Sequence, residues 1–335
     1  MRAWQVTAHG EPADVLSLAD VPVPEPAPGQ ILVRVRAAAL NFPDVLLCRG
    51  QYQVRPELPF VPGVELCGEV VRLGEAVPGV DVSGADLPAI GARVIGNPAL
   101  PHGALAEYAL MNAADAFSAP DSLDDAEAAA LHIAYQTGWF ALHRRAQLRA
   151  GETLLVHAAA GGVGSAAVQL GKAAGAQVIA VVGGPEKAET ARRLGADLVV
   201  DRRVEDFVGA VKKATDGRGV DVVFDPVGGD AYTGSARCAA FEGRIVVVGF
   251  AGGAIPAPPL NHALIKNYSI LGLHWGLYKQ HDPAAVAAAH ARLAELAAAG
   301  TIRPLIGGRS ALGEAAGALT ALGAGDSVGR LVVVP

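Results

Sequence analysis

The chain has 335 residues, is 51% hydrophobic and carries a formal charge of −6, enough length for two domains with sizeable cores. The mild acidity, without a block of five like charges, argues against nucleic acid or a polybasic membrane tether. Cys48, Cys67 and Cys238 are too few and scattered for a disulfide framework, and Met1 to Gly10 lacks the apolar stretch of a secretion signal, so a cytoplasmic location is expected.

From Met1 to about Pro120, short β-like runs are broken by Pro and Gly. "QILVRVRAA" alternates apolar and charged residues, and "VELCGEVVRLG" and "ARVIG" follow at loop-like intervals, which predicts a β-rich domain resembling a small barrel. In "DSLDDAEAAALHIAYQTGWFAL" the texture becomes helical, with Asp121 or Ser122 as the expected N-cap. From Thr153, apolar strands alternate with helices: "TLLVHA", "QVIAVV", "DLVVD", "VDVVFD", "RIVVVGF" and "YSILGLHW" are the strands. Repeated β-α-β units predict a parallel sheet covered on both faces. An Ala-rich helix over "DPAAVAAAHARLAELAAAG", a turn-rich stretch and a terminal strand "RLVVVP" complete the chain.

One segment has two readings. No formally charged residue lies between Thr153 and Gly171, and Gly171 and Gly175 form a GxxxG pair, as in a membrane-spanning helix. A span would carry Gly161, Gly162 and Gly164 in its middle, whereas a strand, glycine turn and helix need them there, and further strands at crossover spacing favour the soluble sheet. The turn reads Ala160-Gly161-Gly162-Val163-Gly164, with Ala159 where a GxGxxG fingerprint has its first glycine. Gly161 would admit a pyrophosphate to the backbone, Gly164 would let helix pack on strand, and the helix N-terminus would face the phosphates.

About twenty residues further on, where NAD-specific folds place an acid on the ribose, stand Gly183 and Gly184. Lys187 follows and Arg202 lies beyond the next strand, a pair of cations suited to the 2′-phosphate of NADPH. Both also have the reading of ordinary solvated charges.

The segments "HAAAGGVGSAAVQL", "LNFPDVLLCRGQYQ", "PFVPGVELCGEVV", "VGFAGGAIPAPPLN" and "KNYSILGLHWGLY" keep the order of one family. The chain resembles a zinc-free medium-chain dehydrogenase/reductase of the NADPH:quinone oxidoreductase type. The resemblance implies an α/β protein with a GroES-like β-barrel catalytic domain over 1–123 and 280–335, a Rossmann doubly wound parallel-sheet domain over 124–279, and a homodimer. It places Asn41 and Asp44 at the active-site floor, Tyr52 at the substrate mouth and Thr137 near the nicotinamide. Gly229, Gly249, Phe250, Ala251, Leu273, His274, Trp275 and Arg330 join the glycine-turn residues as cofactor contacts. Leu46 departs from the pattern, since several quinone reductases carry a tyrosine at that offset.

Zinc-dependent relatives hold a catalytic metal with Cys, His and Cys. The corresponding positions are here Asn41, Val64 beside Glu65, and Ile133, none a thiolate or imidazole, and three cysteines cannot build a four-cysteine lobe. No metal is therefore expected. Without a Lewis acid, simple alcohol oxidation is disfavoured, whereas a quinone or enone spreads the developing charge over its own π system. The expected activity is hydride transfer from NADPH to a quinone or similar α,β-unsaturated carbonyl. The alternatives are an enoyl-thioester (CoA or carrier-protein) reductase and a catalytically idle, crystallin-like or RNA-binding relative.

Asn41 and Asp44 also have the reading of a local helix cap. "GDSVG", Gly325 to Gly329, matches a nucleophile elbow but lies between a helix and the terminal strand with no histidine after it, and is read as a turn. His157 is read as a hydrogen-bonded core residue, and His132, His143, His262 and His274 show no ligand spacing.

Overall fold

In the computed structural model, residues 1–74 and 88–335 are described; residues 75–87, part of the expected catalytic-domain range, lie outside the described residues. The chain divides into two units, Met1–Ile133 with Arg303–Pro335, and Ala134–Ile302. The boundaries fall at 133/134 and 302/303, where 123/124 and 279/280 were expected. The Ala-rich helix Pro283–Ala298 accounts for the second difference: Gln136 Nε2 donates to Val286 O at 2.9 Å, tying it to the second unit.

The first unit is built on a seven-stranded sheet. Its spatial order is Ile306–Ala311, Arg330–Val334, Gln30–Ala39, Leu66–Leu73, Arg93–Gly96 and Ala116–Ser118, with Tyr108–Asn112 also paired to Gln30–Ala39. Most pairs are antiparallel, as alternating strands with one buried face require. The buried side chains Ile31, Val33, Leu66, Val70, Val94 and Met111 fill the core, where Trp4 Nε1 donates to Leu312 O. The turn-rich stretch near the C-terminus contains more order than expected: the strand Ile306–Ala311 and the helix Ala315–Ala324. The strand escaped notice because Gly307 and Gly308 dilute its pattern. "GDSVG" follows that helix, begins at Gly325 in the left-handed conformation and leads into the terminal strand, the arrangement of a turn.

The expected helix after Pro120 takes its N-cap three residues beyond Asp121 and two beyond Ser122. Asp124 is the N-cap of Asp125–Ala129, its carboxylate accepting from Glu127 N at 2.9 Å while Glu127 reaches back to Asp124 N. A second helix, His132–Trp139, follows and continues into a π-helical turn, Phe140–Arg145.

The second unit contains six strands: β1 (Thr153–His157), β2 (Gln177–Val182), β3 (Leu198–Asp201), β4 (Val220–Asp225), β5 (Ala239–Val247) and β6 (Ser269–Gly272). They are all parallel, in the order β3-β2-β1-β4-β5-β6. The helices α1 (Gly162–Ala173), α2 (Pro185–Arg193), α3 (Phe207–Ala214), α4 (Gly229–Cys238) and α5 (Leu260–Lys266) connect them, and α6 is Pro283–Ala298. The central strands are buried along almost their whole length, which is why they read as continuous apolar runs. The strand order reverses between β1 and β4, and such a switch point opens a crevice beyond the carboxyl ends of those two strands.

The GxxxG pair is resolved by α1. A Cβ on Gly171 would come within 2.5 Å of Leu154 Cδ2, so the glycine brings the helix onto β1. Gly175 adopts φ +78° and ends the helix instead. Among the described residues, no helix is long and apolar enough to cross a membrane.

Candidate active site

The switch-point crevice of the second unit is bordered by the predicted dinucleotide contacts other than Arg330, which lies in the first unit. After β1, Ala158 takes a left-handed conformation (φ 49°), and Gly161 N donates to Ala158 O at 2.8 Å, closing the turn. The helix begins at once, Ser165 N bonding to Gly161 O at 2.8 Å. The first-turn amides ahead of Ser165 have no acceptor within the helix and are free to face an anion. Ala159 and Ala160 are buried, whereas Gly161, Gly162 and Val163 remain partly open. A Cβ on Gly164 would sit 2.1 Å from Ala158 O, so glycine is required where helix and turn meet.

At the end of β2, Gly183 and Gly184 offer no carboxylate. A Cβ at Gly183 would lie 3.5 Å from Arg202 Nε and from Arg203 Nε, and one at Gly184 2.9 Å from Arg203 Nη1. Arg203 is thus a cation at this turn that the sequence reading missed, although it adjoins the predicted Arg202. The nearby acid, Asp201, is engaged by the backbone: its Oδ1 accepts from Gly184 N at 2.8 Å and Arg203 N at 3.0 Å, and these bonds hold its pKa below the usual value. Lys187 is half-buried in the first turn of α2.

On the other side of the switch point, Asp225 ends β4. Its Oδ1 accepts from Val227 N and Gly228 N, both at 2.9 Å, which shapes the loop leading to Gly229. Ala251 N bonds to Pro226 O at 3.0 Å, setting the Gly249–Phe250–Ala251 turn beside that loop, and Leu273 N bonds to Val247 O. Leu273 and Trp275 are buried and His274 between them is exposed. His157, ending β1, is buried with Nε2 2.7 Å from Ser235 Oγ. Burial pushes its pKa down to about 4, against the pull of Asp225 and with the push of Arg202. That is the expected core histidine. Thr137 is buried in the helix His132–Trp139 of the same unit.

In the first unit, Asn41 and Asp44 open the helix Phe42–Cys48. Asp44 is fully buried; its Oδ2 accepts from Asn41 N at 2.8 Å and its Oδ1 from Gly63 N at 3.0 Å, so the capping reading is realised. Burial pushes this carboxyl up to about 7 despite the backbone donors and the charge of Arg330. The Asn41 side chain has a different task. Its Nδ2 donates to Glu65 Oε2 at 2.9 Å and to Ala39 O at 3.0 Å, and its Oδ1 accepts from Arg330 Nη1 at 2.8 Å. Arg330 Nη2 also donates to Glu65 Oε2, and Ile133 N donates to Glu65 Oε1 at 2.5 Å.

Asn41, Glu65 and Ile133, expected at metal-ligand positions, therefore do converge, but as a closed polar cluster. Burial raises the Glu65 carboxyl, offset by Arg330, Asn41 and the Ile133 amide. Arg330, a predicted cofactor contact, commits both terminal nitrogens to this cluster, leaving its buried Nε without a partner among the described residues. Tyr52 is half-buried against Val6, Val15, Leu47, Cys48 and Phe60, its hydroxyl pKa raised by burial and by the charge of Asp44. All three cysteines are buried and free. Leu46, the position noted for its missing tyrosine, is half-buried on the same helix.

A doubly wound sheet with a glycine turn at its switch point defines an α/β protein of the dinucleotide-binding class. The comparisons agree. The family described as alcohol dehydrogenase GroES-like domain matches residues 27–121, and that described as zinc-binding dehydrogenase matches residues 162–293. The chain is 40% identical over 281 residues to quinone oxidoreductase-like protein 2 of Bos taurus, covering 84% of this chain and 78% of the other. Escherichia coli quinone oxidoreductase complexed with NADPH superposes over 100% of both chains with a TM-score of 0.89 at 30% identity. A mycobacterial protein complexed with NADPH does so over 100% of both with a TM-score of 0.91 at 31% identity. The chain belongs to the medium-chain dehydrogenase/reductase family of oxidoreductases, with quinone oxidoreductase-like relatives.

Proposed function

We propose that this oxidoreductase transfers hydride from NADPH to a quinone or a related α,β-unsaturated carbonyl, without zinc. The observation that carries the proposal is the cluster at the positions where zinc-dependent relatives hold the catalytic metal. Its donors are an amide, a carboxylate and a backbone N–H, and the carboxylate is already saturated by Arg330, Asn41 and Ile133. A tetrahedral site of thiolate and imidazole ligands does not fit these residues.

The residues of the second unit do fit NADPH. The Gly161–Gly164 turn supplies a side-chain-free approach and the α1 N-terminus for a pyrophosphate, while Arg202 and Arg203 flank Gly183 and Gly184 where a 2′-phosphate would lie. The bound cofactor supplies a hydride from its nicotinamide ring. Thr137, Gly249 to Ala251 and Leu273 to Trp275 are assigned to holding that ring and its ribose and excluding water. Asn41, whose side chain is held in one rotamer by Ala39 O, Glu65 and Arg330, is assigned to the active-site floor, and Tyr52 to the substrate mouth. No proton donor is required of the protein, because a hydroquinone anion is protonated by water.

We assign the protein to a homodimer in the cytoplasm. The support for a second copy is the sheet edge: β6 ends the strand order, Ile270 on it is partly exposed, and α5 beside it leaves Leu260, Leu264 and Ile265 more than 70% exposed. Light scattering on the purified protein should give twice the chain mass, and a monomer would remove the assignment.

The acceptor is tested by NADPH oxidation against quinones, enones and a crotonyl thioester in parallel. Quinone turnover should dominate. A crotonyl thioester reduced far faster than any quinone would replace this reading with the enoyl-thioester reductase, and tight NADPH binding with no turnover of any conjugated acceptor would favour the idle relative.

A further inference from the structure

The amino ends of β4 and β5, opposite the glycine turn, border a cleft of about 330 Å³ that the proposed reaction does not use. It is lined by Lys212, Arg218, Arg237 and Lys266, with Phe241 at one wall and no acidic residue among its lining. In a chain with 27 basic and 33 acidic residues, such a local excess is not what composition provides.

The ordinary reading is that these cations neutralise helix ends, since Lys212, Arg237 and Lys266 lie in the last turns of α3, α4 and α5. That reading accounts for Lys266, whose Nζ donates to Ala236 O at 2.8 Å and Arg237 O at 3.2 Å. Arg218 is likewise occupied, by Asp221 Oδ1 at 2.6 Å and Thr153 Oγ1 at 3.1 Å. It does not account for Lys212 or Arg237, whose side chains have no hydrogen-bond or ion-pair partner among the described residues. Burial lowers the pKa of Lys266, opposed by the Cys238 thiol and assisted by the neighbouring charge of Lys212, which places the two lysines close together. Phe241 is 73% exposed and presents an aromatic face.

We infer that this cleft binds a small phosphate-class anion, a pyrophosphate or a nucleoside diphosphate, at a site separate from the dinucleotide crevice. Two free cations beside two anchored ones suit an anion with several oxygens, Arg237 by its planar fork and Lys212 as a point charge. Phe241 offers a stacking surface to a base carried by that anion. The length of β4, Val220–Asp225 at roughly 3.3 Å per residue, separates the cleft from the loop after Asp225, so one ligand cannot occupy both. The inference does not depend on which acceptor the oxidoreductase reduces.

The test is calorimetric titration of the NADPH-saturated full chain with inorganic pyrophosphate and, separately, with ADP. Saturation keeps both probes out of the glycine turn. Lys212→Ala/Arg237→Ala removes two exposed, unpartnered side chains and should weaken pyrophosphate at least about tenfold while leaving the NADPH affinity within about twofold. Phe241→Ala identifies the source: ADP weakened with pyrophosphate unchanged supports a nucleotide, and neither changed supports a free phosphate. Absence of binding by either probe up to about 10 mM, or binding that the double variant leaves unchanged, overturns the inference.

Discussion

The glycine turn of the second unit and the Asn41–Glu65–Arg330 cluster of the first are two polar sites made by opposite means. The turn is local: within eight residues it joins a strand, a closed loop and a helix, and works through backbone amides. The cluster is assembled from distant segments, Arg330 lying 289 residues from Asn41 and 265 from Glu65, and works through side chains that satisfy one another. A local backbone site tolerates change around it but not within it. A closed side-chain cluster fails when any one member is removed, because the others are left buried and unpaired.

The largest effect expected from this contrast is on stability. Arg330→Leu leaves Glu65 fully buried without its cation and should cost about 3–5 kcal/mol in urea unfolding. A loss below about 1 kcal/mol would mean that the cluster is solvated and not closed.

The next effect belongs to the switch point and depends on pH. His157 is neutral in the fold down to about pH 4, whereas the unfolded chain takes up a proton near 6.5. Its contribution is therefore complete above pH 6.5 and is lost as the pH falls towards 4, by up to roughly 3 kcal/mol at 1.36 kcal/mol per pKa unit. His157→Gln, which can keep a bond to Ser235, should flatten that acid limb in unfolding curves taken between these limits. An unchanged slope would show that other groups carry it.

The smallest effect is on binding alone. Arg202→Ala/Arg203→Ala should raise the Kd for NADPH about 100-fold, close to 2.7 kcal/mol, with NADH and the unfolding midpoint little altered. If NADH binds the unsubstituted protein more tightly than NADPH, these arginines are surface charges and the cofactor assignment falls.

The same contrast explains what could be read from the sequence. All six strands of the parallel sheet were visible, since buried parallel strands are apolar runs and glycine turns have fixed spacing. The helix Leu260–Lys266 was not, because it buries none of its residues and "LNHALIK" lacks a polar face to mark the period. The positions of Asn41, Glu65 and Ile133 were found by register, and their lack of thiolates was plain. That Arg330 closes them into one cluster was not legible, since no local pattern links residues so far apart. Arg203 was within reach: the Arg202 argument needed only its neighbour, which shares the loop anchored by Asp201.

The central claim is hydride transfer to a conjugated acceptor without a metal, and it is tested most directly by NADPH-dependent quinone turnover before and after exhaustive chelation, with metal analysis of the same samples. The account predicts unchanged turnover and no stoichiometric zinc in either sample. Stoichiometric zinc whose removal abolishes turnover would contradict it.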